Sequence, residues 1–198
     1  MTVSSLAIAL GANLGDPETT LTAVRPRLAA ALAAWGGSPL VRGCRWSPLF
    51  RTEPVGGPPG QPPFVNAVLV AGPLPDPTPD PRPLLEALLA LERACGRVRG
   101  ERWGPRLLDL DLLWCGACRL GEPALTLPHP RLHQRRFVLE PLAAIDPALA
   151  PPGGPGNPPA SVAQLLARLQ AAAASMPPAC VGWEPPPRRL PPRPGWPE

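Results

Sequence analysis

The stretch RWGPRLLDLDLLW, residues 102–114, decides the fold. Leu107, Leu108, Leu110, Leu112, Leu113 and Trp114 give it the apolar content of a buried strand, yet Asp109 and Asp111 interrupt it. Residues i and i+2 of a strand face the same way. The two carboxylates therefore project side by side, with Leu108, Leu110 and Leu112 pointing into the core behind them. Paired carboxylates repel at neutral pH unless something positive lies between them. Hard oxygen ligands so placed suit Mg2+, which takes one or two carboxylates and fills its remaining positions with water and substrate phosphates. A bare D-x-D is more simply the solvated face of an edge strand. The neighbours change that, because Arg97, Arg99, Arg102 and Arg106 lie just upstream in a glycine-containing loop. Two aspartates do not need four arginines, and a polyphosphate takes up the surplus through bidentate contacts.

Working outward, SLAIAL (Ser5 to Leu10) predicts a buried strand and GANLGD a turn. Asp16-Pro17-Glu18 opens a helix with an N-cap, a proline in the first turn and an acid behind it. Leu21, Val24, Leu28 and Leu32 form its apolar stripe, Gly36-Gly37 ends it, and Pro26 inside the pattern predicts a kink or a late start. A second strand is expected from Val41 to Phe50, interrupted by Pro48, and RTEPVGGPPGQPP reads as loop. FVNAVLV (Phe64 to Val70) is the third strand, with Phe64, Asn66, Val68 and Val70 on one face. A proline-rich insert, 72–83, leads to a helix capped by Asp80-Pro81, with Leu84, Leu85, Leu88, Leu91 and Cys95 inward and Gly96 at its end. After the D-x-D strand come a short helix near Phe137 to Ile145 and a last one from Ser161 to Ser175. Ser161 and Gln164 are spaced as a capping box. From Pro177 on the chain reads as too rich in proline to pack, and a disordered or extended tail is expected. Strand, helix, strand, strand, helix, strand is the ferredoxin-like β-α-β-β-α-β order, an α+β class with helices on both sides of the sheet, a C-terminal helix and the tail.

Composition narrows the function. The chain has 198 residues, and all nineteen of its basic residues are arginine. Together with abundant Ala, Pro and Gly, that reflects a biased coding composition, so where the arginines cluster says more than their number. Of the five cysteines, Cys115 and Cys118 form a lone C-x-x-C without the second pair of a zinc ribbon, and read as ordinary thiols at a strand end. No basic segment precedes the first apolar run, and no apolar run approaches the ~20 residues of a membrane span. A soluble cytoplasmic protein is expected.

Two further constellations carry chemistry. In LPHPRLHQRRFVLEPL, residues 127–142, His129 stands between two prolines and is presented from a turn, followed by Arg131, Arg135 and Arg136, which suit an anion. Phe137 is either plain core or one wall of an aromatic slot. In FVNAV, Phe64 and Asn66 share a face, as a flat hydrogen-bonding heterocycle requires: stacking from one, donor and acceptor contacts from the other.

Taken together, RWGPRLLDLDLL and LPHPRLHQRRFVLEPL resemble the two signature regions of the 6-hydroxymethyl-7,8-dihydropterin pyrophosphokinase family. LGANLGD, RTEPVGG and FVNAV resemble its other typical segments, in the same order, over Ser5 to Pro147. The resemblance implies transfer of pyrophosphate from ATP to the hydroxymethyl group of the pterin, with AMP leaving, and two Mg2+ ions on the triphosphate. It implies Asp109 and Asp111 as metal ligands and, with Arg97 and Arg106, as catalytic residues. Arg99, Arg102, Arg106, Thr126, His129 and Arg135 would meet ATP. Thr52, Val55, Phe64, Asn66, Trp103 and Phe137 would form the pterin pocket, with Phe64 and Phe137 as aromatic walls and Trp103 in a mobile loop. Pro130 and Phe64 depart from the aromatic and the tyrosine of some relatives. The implied layout is a pyrophosphokinase domain over 1–176 and a tail over 177–198, a monomer without nucleic-acid or membrane partners.

In-line attack on the β-phosphorus fits these residues, with charge neutralised by metal and arginine. No strong general base stands out near the pterin. The rival readings are a ferredoxin-like RNA-binding module, which lacks the aromatic-rich signature, and an interaction protein working through EPPPRRLPPRPGWPE.

Overall fold

The LAIALGA run is buried at every position, and the sheet grows outward from it. The computed structural model describes residues 4–97, 104–154, 158–174 and 184–197. In chain order its elements are β1 (Leu6–Ala12), α1 (Pro17–Gly36), α2 (Ser38–Arg42), β2 (Arg45–Trp46), β3 (Phe50–Thr52) and β4 (Phe64–Ala71). They continue with α3 (Pro81–Ala94), β5 (Asp109–Cys115), β6 (Leu120–Gly121), β7 (Thr126–Leu127), α4 (Arg136–Ile145), α5 (Val162–Ala174) and β8 (Arg188–Arg189). The architecture is α+β. The main sheet runs β5-β1-β4-β3-β8, with β2 also on β4, and every pairing is antiparallel.

Alternation along the strands divides the core in two. Leu6, Ile8 and Leu10 of β1, Ala67 and Leu69 of β4 and Leu110 and Leu112 of β5 face α1 and α3. There they meet Leu21, Val24, Leu28 and Leu32, spaced three and four apart on one stripe of α1, and Leu84, Leu88 and Leu91 of α3. Full burial of each leucine is worth about 2 kcal/mol. Ala7, Val68, Val70, Leu113 and Trp114 face the other way, against Val138, Leu139 and Leu142 of α4 and Leu165 and Leu166 of α5. Ile8 pairs with Leu112 and Ala7 with Trp114, so Leu113 is the extra residue of a bulge. Leu113 and Trp114 consequently both join the second core.

Most helix boundaries follow the sequence. Asp16 accepts the Thr19 N–H at 3.0 Å and caps α1, and Asp80 caps α3 through the Arg82 N–H. Gly37, at φ 83°, ends α1. Ser161 and Gln164 exchange side-chain to backbone hydrogen bonds at 2.9 and 3.2 Å, as a capping box requires. Three expectations are corrected. α1 does not start late: it runs through Pro26, which lies on its exposed side.

The strand expected over Val41 to Phe50 is instead the end of α2 followed by two short strands, and Arg51 and Thr52 belong to β3 rather than to loop. Pro48 has no N–H to give the ladder. Ser47 bridges the break: its own N–H donates to the Val68 carbonyl, and its hydroxyl accepts the Val68 N–H, both at 2.9 Å. Finally, the described part of the tail packs. β8 pairs with β3, and Leu190 and Trp196 are buried in the first core. Among the described residues no helix is long and apolar enough to cross a membrane.

Candidate active site

Beyond the second core, the same sheet face turns polar and floors a cavity of about 840 Å3. The register places its rows: Asp111 lies across Ala9 from Val68, and Asp109 lies across Gly11 from Asn66. Thr52 of β3 stands opposite Phe64. The small residues of β1 keep the floor low between carboxylates and amide. A Cβ on Gly11 would come within 2.7 Å of Asn66 Oδ1. Asn66 is itself buried, and its Nδ2 donates to Thr52 Oγ1 at 2.7 Å, leaving Oδ1 as an acceptor on the floor.

Asp109 is held by two arginines. Arg97 reaches Oδ1 at 2.8 Å and Arg106 reaches Oδ2 at 2.6 Å. Arg97 also pairs with Glu92, a nearly fully buried carboxylate on α3 that accepts the Leu110 N–H at 2.7 Å. Glu92 therefore grips β5 between the two aspartates, and burial raises its pKa. Asp111 has no hydrogen-bond or ion-pair partner among the described residues, and burial, with the Asp109 charge next, pushes its pKa up to about 6. A carboxylate left in that state is one a cation would relieve. Among the described residues no group of three or more His, Cys, Asp or Glu side chains is placed to hold a metal ion. A divalent ion here would take these two carboxylates and complete its shell from water and phosphate, which suits Mg2+. Each Asp109 oxygen has a further lone pair, so it can keep its arginine and still accept a cation.

The 127–142 segment supplies the opposite wall. The His129 N–H donates to the Leu113 carbonyl at 2.7 Å, and its Nδ1 accepts the Arg131 N–H at 3.2 Å. That bond fixes the neutral tautomer with its proton on Nε2, a donor for an anion. Burial, with Arg135 and Arg131 next, lowers the His129 pKa to about 4. The Arg135 guanidinium lies 5.2 Å from the centroid of the Phe137 ring.

The cavity lining brings together Thr52, Val55, Phe64, Asn66, Arg106, Asp109, Asp111, His129, Arg135 and Phe137. Arg97 stands behind Asp109 rather than in the wall. Thr126 is not brought to the cavity: it is exposed on β7, its hydroxyl donating to the Glu122 carbonyl at 3.4 Å. Arg99, Arg102 and Trp103 lie outside the described residues.

Sequence reasoning missed four residues. Glu92 was legible, since it continues the Leu84, Leu88 stripe one helical turn on. Gly11 was legible as a glycine inside a strand. Asn13 is buried in the GANLGD turn: its Oδ1 accepts the Arg106 N–H at 2.6 Å and its Nδ2 donates to the Pro62 carbonyl at 3.1 Å, so the turn clamps two site loops. Glu184, in the cavity wall, gives no local signal.

The family model of 7,8-dihydro-6-hydroxymethylpterin-pyrophosphokinase matches residues 7–147. The chain is similar to the 2-amino-4-hydroxy-6-hydroxymethyldihydropteridine pyrophosphokinase of Pseudomonas aeruginosa, at 42% identity over 77% of this chain and 86% of that one. It is 40% identical to the enzyme of the same name from Mycobacterium tuberculosis H37Rv, over 86% of both chains. A Bacillus subtilis enzyme of that name is 40% identical over 70% of this chain and 75% of its own.

Proposed function

The chain belongs to the 7,8-dihydro-6-hydroxymethylpterin-pyrophosphokinase family, and from that membership we infer how its cavity divides between two substrates. The reaction moves pyrophosphate from ATP to the hydroxymethyl group of 6-hydroxymethyl-7,8-dihydropterin, releasing AMP, a step of folate biosynthesis. Membership leaves the RNA-binding reading without support.

At one end the pterin stacks between Phe64 and Phe137. Asn66 offers its Oδ1 to the ring N–H groups, Thr52 orients that amide, and Val55 closes the side. At the other end the triphosphate lies over β5. Two Mg2+ ions, held by Asp109 and Asp111, would supply Lewis-acid neutralisation of phosphate charge. Arg106 and Arg135 bind phosphate oxygens and stabilise the charge that spreads over them as the P–O bond breaks. His129 donates Nε2–H to the same anion. Arg97 holds Asp109 from behind. Arg99 and Arg102 are assigned to ATP, Trp103 to the pterin loop and Thr126 to the nucleotide periphery by resemblance alone. The floor formed by Ala9 and Gly11 lets the hydroxymethyl oxygen approach the β-phosphorus in line, and this positioning supplies much of the rate. We read the sheet as ferredoxin-like: with the first, second, third and fourth main strands being β1, β3, β4 and β5, the order 4-1-3-2 supports it. A cytoplasmic monomer completes the proposal, with residues 1–176 as the main catalytic unit and 184–197 added to its sheet and cavity wall.

The observation that carries this division is the co-location of the Asp109–Asp111 pair with Asn66, Phe64 and Phe137 around one cavity. Its test is AMP release from ATP, Mg2+ and the reduced hydroxymethylpterin. Asp111→Asn should lower kcat by about a thousandfold at unchanged pterin affinity. Near-normal Mg2+-dependent turnover in that variant would remove the metal assignment.

A further inference from the structure

Residues 184–197 lie beyond the stretch the family model matches, 7–147, yet they reach the cavity. Their far end is firmly fastened. β8 pairs Arg188 with Arg51 and Arg189 with Phe50. Trp196 is buried, its Nε1 donating to the Ser47 carbonyl at 2.8 Å, and Arg193 meets Glu18 at 2.7 Å. Held this way, the segment delivers Glu184 to the start of α4.

That helix needs a cap. Its first N–H groups have no partner within the helix, and the residue at its N-cap position, Arg135, makes no side-chain capping bond. Glu184 Oε2 accepts the Arg136 N–H at 2.8 Å. A carboxylate is the favoured group at the positive end of a helix. The next residue of α4 is Phe137. Glu184, Pro185 and Pro187 also wall a recess shared with Thr52, Val55 and Phe137.

We propose that Glu184 is a positioning residue for the pterin end of the site: from outside the family-matched region it caps α4 and fixes the backbone that carries Phe137, while the prolines beside it close the recess. The inference rests on Phe137 being a pterin wall. Glu184 acts through the backbone that it caps, so its loss should act on pterin binding and spare the chemistry.

The test uses the full chain, with steady-state kinetics for each substrate and circular dichroism as the check on folding. Glu184→Ala should raise the KM for the pterin about tenfold, the cost of a typical lost cap, with kcat and the KM for ATP within about twofold. Glu184→Gln keeps an acceptor for the Arg136 N–H and should recover to within about threefold. It also carries the test alone should the alanine variant fail to fold, a pterin-specific rise then being the supporting result. An unchanged pterin KM, an equal rise for both substrates, or a glutamine variant no better than alanine would each overturn the capping role. Phe137→Ala separates the two levels. If it raises the pterin KM while Glu184→Ala does not, the cap fails and the pterin site stands; if Phe137→Ala leaves that KM unchanged, the assignment of the pocket itself fails.

Discussion

Gly11 carries no chemistry, and the site depends on it. It lies between Asp109 and Asn66 in the sheet, and a methyl group there would meet Asn66 Oδ1 at 2.7 Å. The floor cannot give easily, because Asn66 is buried and tied to Thr52. Gly11→Ala should therefore turn the amide off its position and raise the pterin KM about tenfold, the order of one lost buried hydrogen bond to a ligand, while the protein still folds. Parallel losses for pterin and ATP would show that Asn66 is not the group displaced. His129 gives a test in pH. Its folded pKa is about 4, below the ordinary 6.5. The unfolded chain takes up this proton as pH falls through 6.5 and the folded chain does not until about pH 4, so stability present above pH 6.5 drains away across that window. Between pH 7.5 and 4.5 the ring accounts for a loss of about 2 kcal/mol. Side-chain carboxyl groups in general also begin to take up protons toward pH 4.5, so the difference between two proteins is the readout. Urea unfolding at both pH values should show a loss for His129→Gln that is smaller by that amount, and parallel profiles would contradict the shift.

At the scale of elements, the tie between α3 and β5 sets the aspartates. Glu92 accepts the Leu110 N–H and pairs with Arg97, which in turn holds Asp109. Glu92→Ala leaves a buried N–H unsatisfied and an arginine short of one partner, a destabilisation of about 3 kcal/mol. Glu92→Gln keeps the acceptor and should cost about 1 kcal/mol. Equal losses for the two variants would assign the tie to the ion pair alone. The same elements show what the sequence made legible. Alternation in DLDLL gave a strand with both carboxylates on one face, and the caps at Asp16, Asp80 and Ser161 gave helix starts, because each depends on neighbours within four residues. The division of 41–52 into α2, β2 and β3 was hidden, because it rests on Ser47 bonding to Val68 across 21 residues of chain to bypass Pro48. Similarly, GANLGD reads as a simple turn until Asn13 is seen clamping Arg106 and Pro62. Contacts of that kind leave no periodicity in the local sequence.

For the whole molecule, the deciding long-range contact is made by the proline-rich tail. Proline removes ladder donors, which argues against a central strand but not against an added edge. β3 is only three residues long, and β8 covers its open side. The anchor is Trp196, edge-on to Trp46 with ring centroids 5.4 Å apart, and the Arg25 guanidinium lies over both rings at 5.0 and 5.4 Å. Truncating a buried tryptophan costs about 3–5 kcal/mol, and for a chain of this size that lowers Tm by on the order of 10 °C. Trp196→Ala should show that drop. It should also free the exposed Arg188 and Arg189 from pairing with β3, so that trypsin cuts after Arg189 faster than in the parent chain. Because the same strap carries Glu184 to α4, its release should raise the pterin KM before the protein melts, and an ATP KM that stays level would tie the two effects together. A variant that keeps the parent's melting temperature and its resistance to trypsin would mean that the sheet closes without the tail, and Glu184 would then need another explanation for its place in the cavity wall.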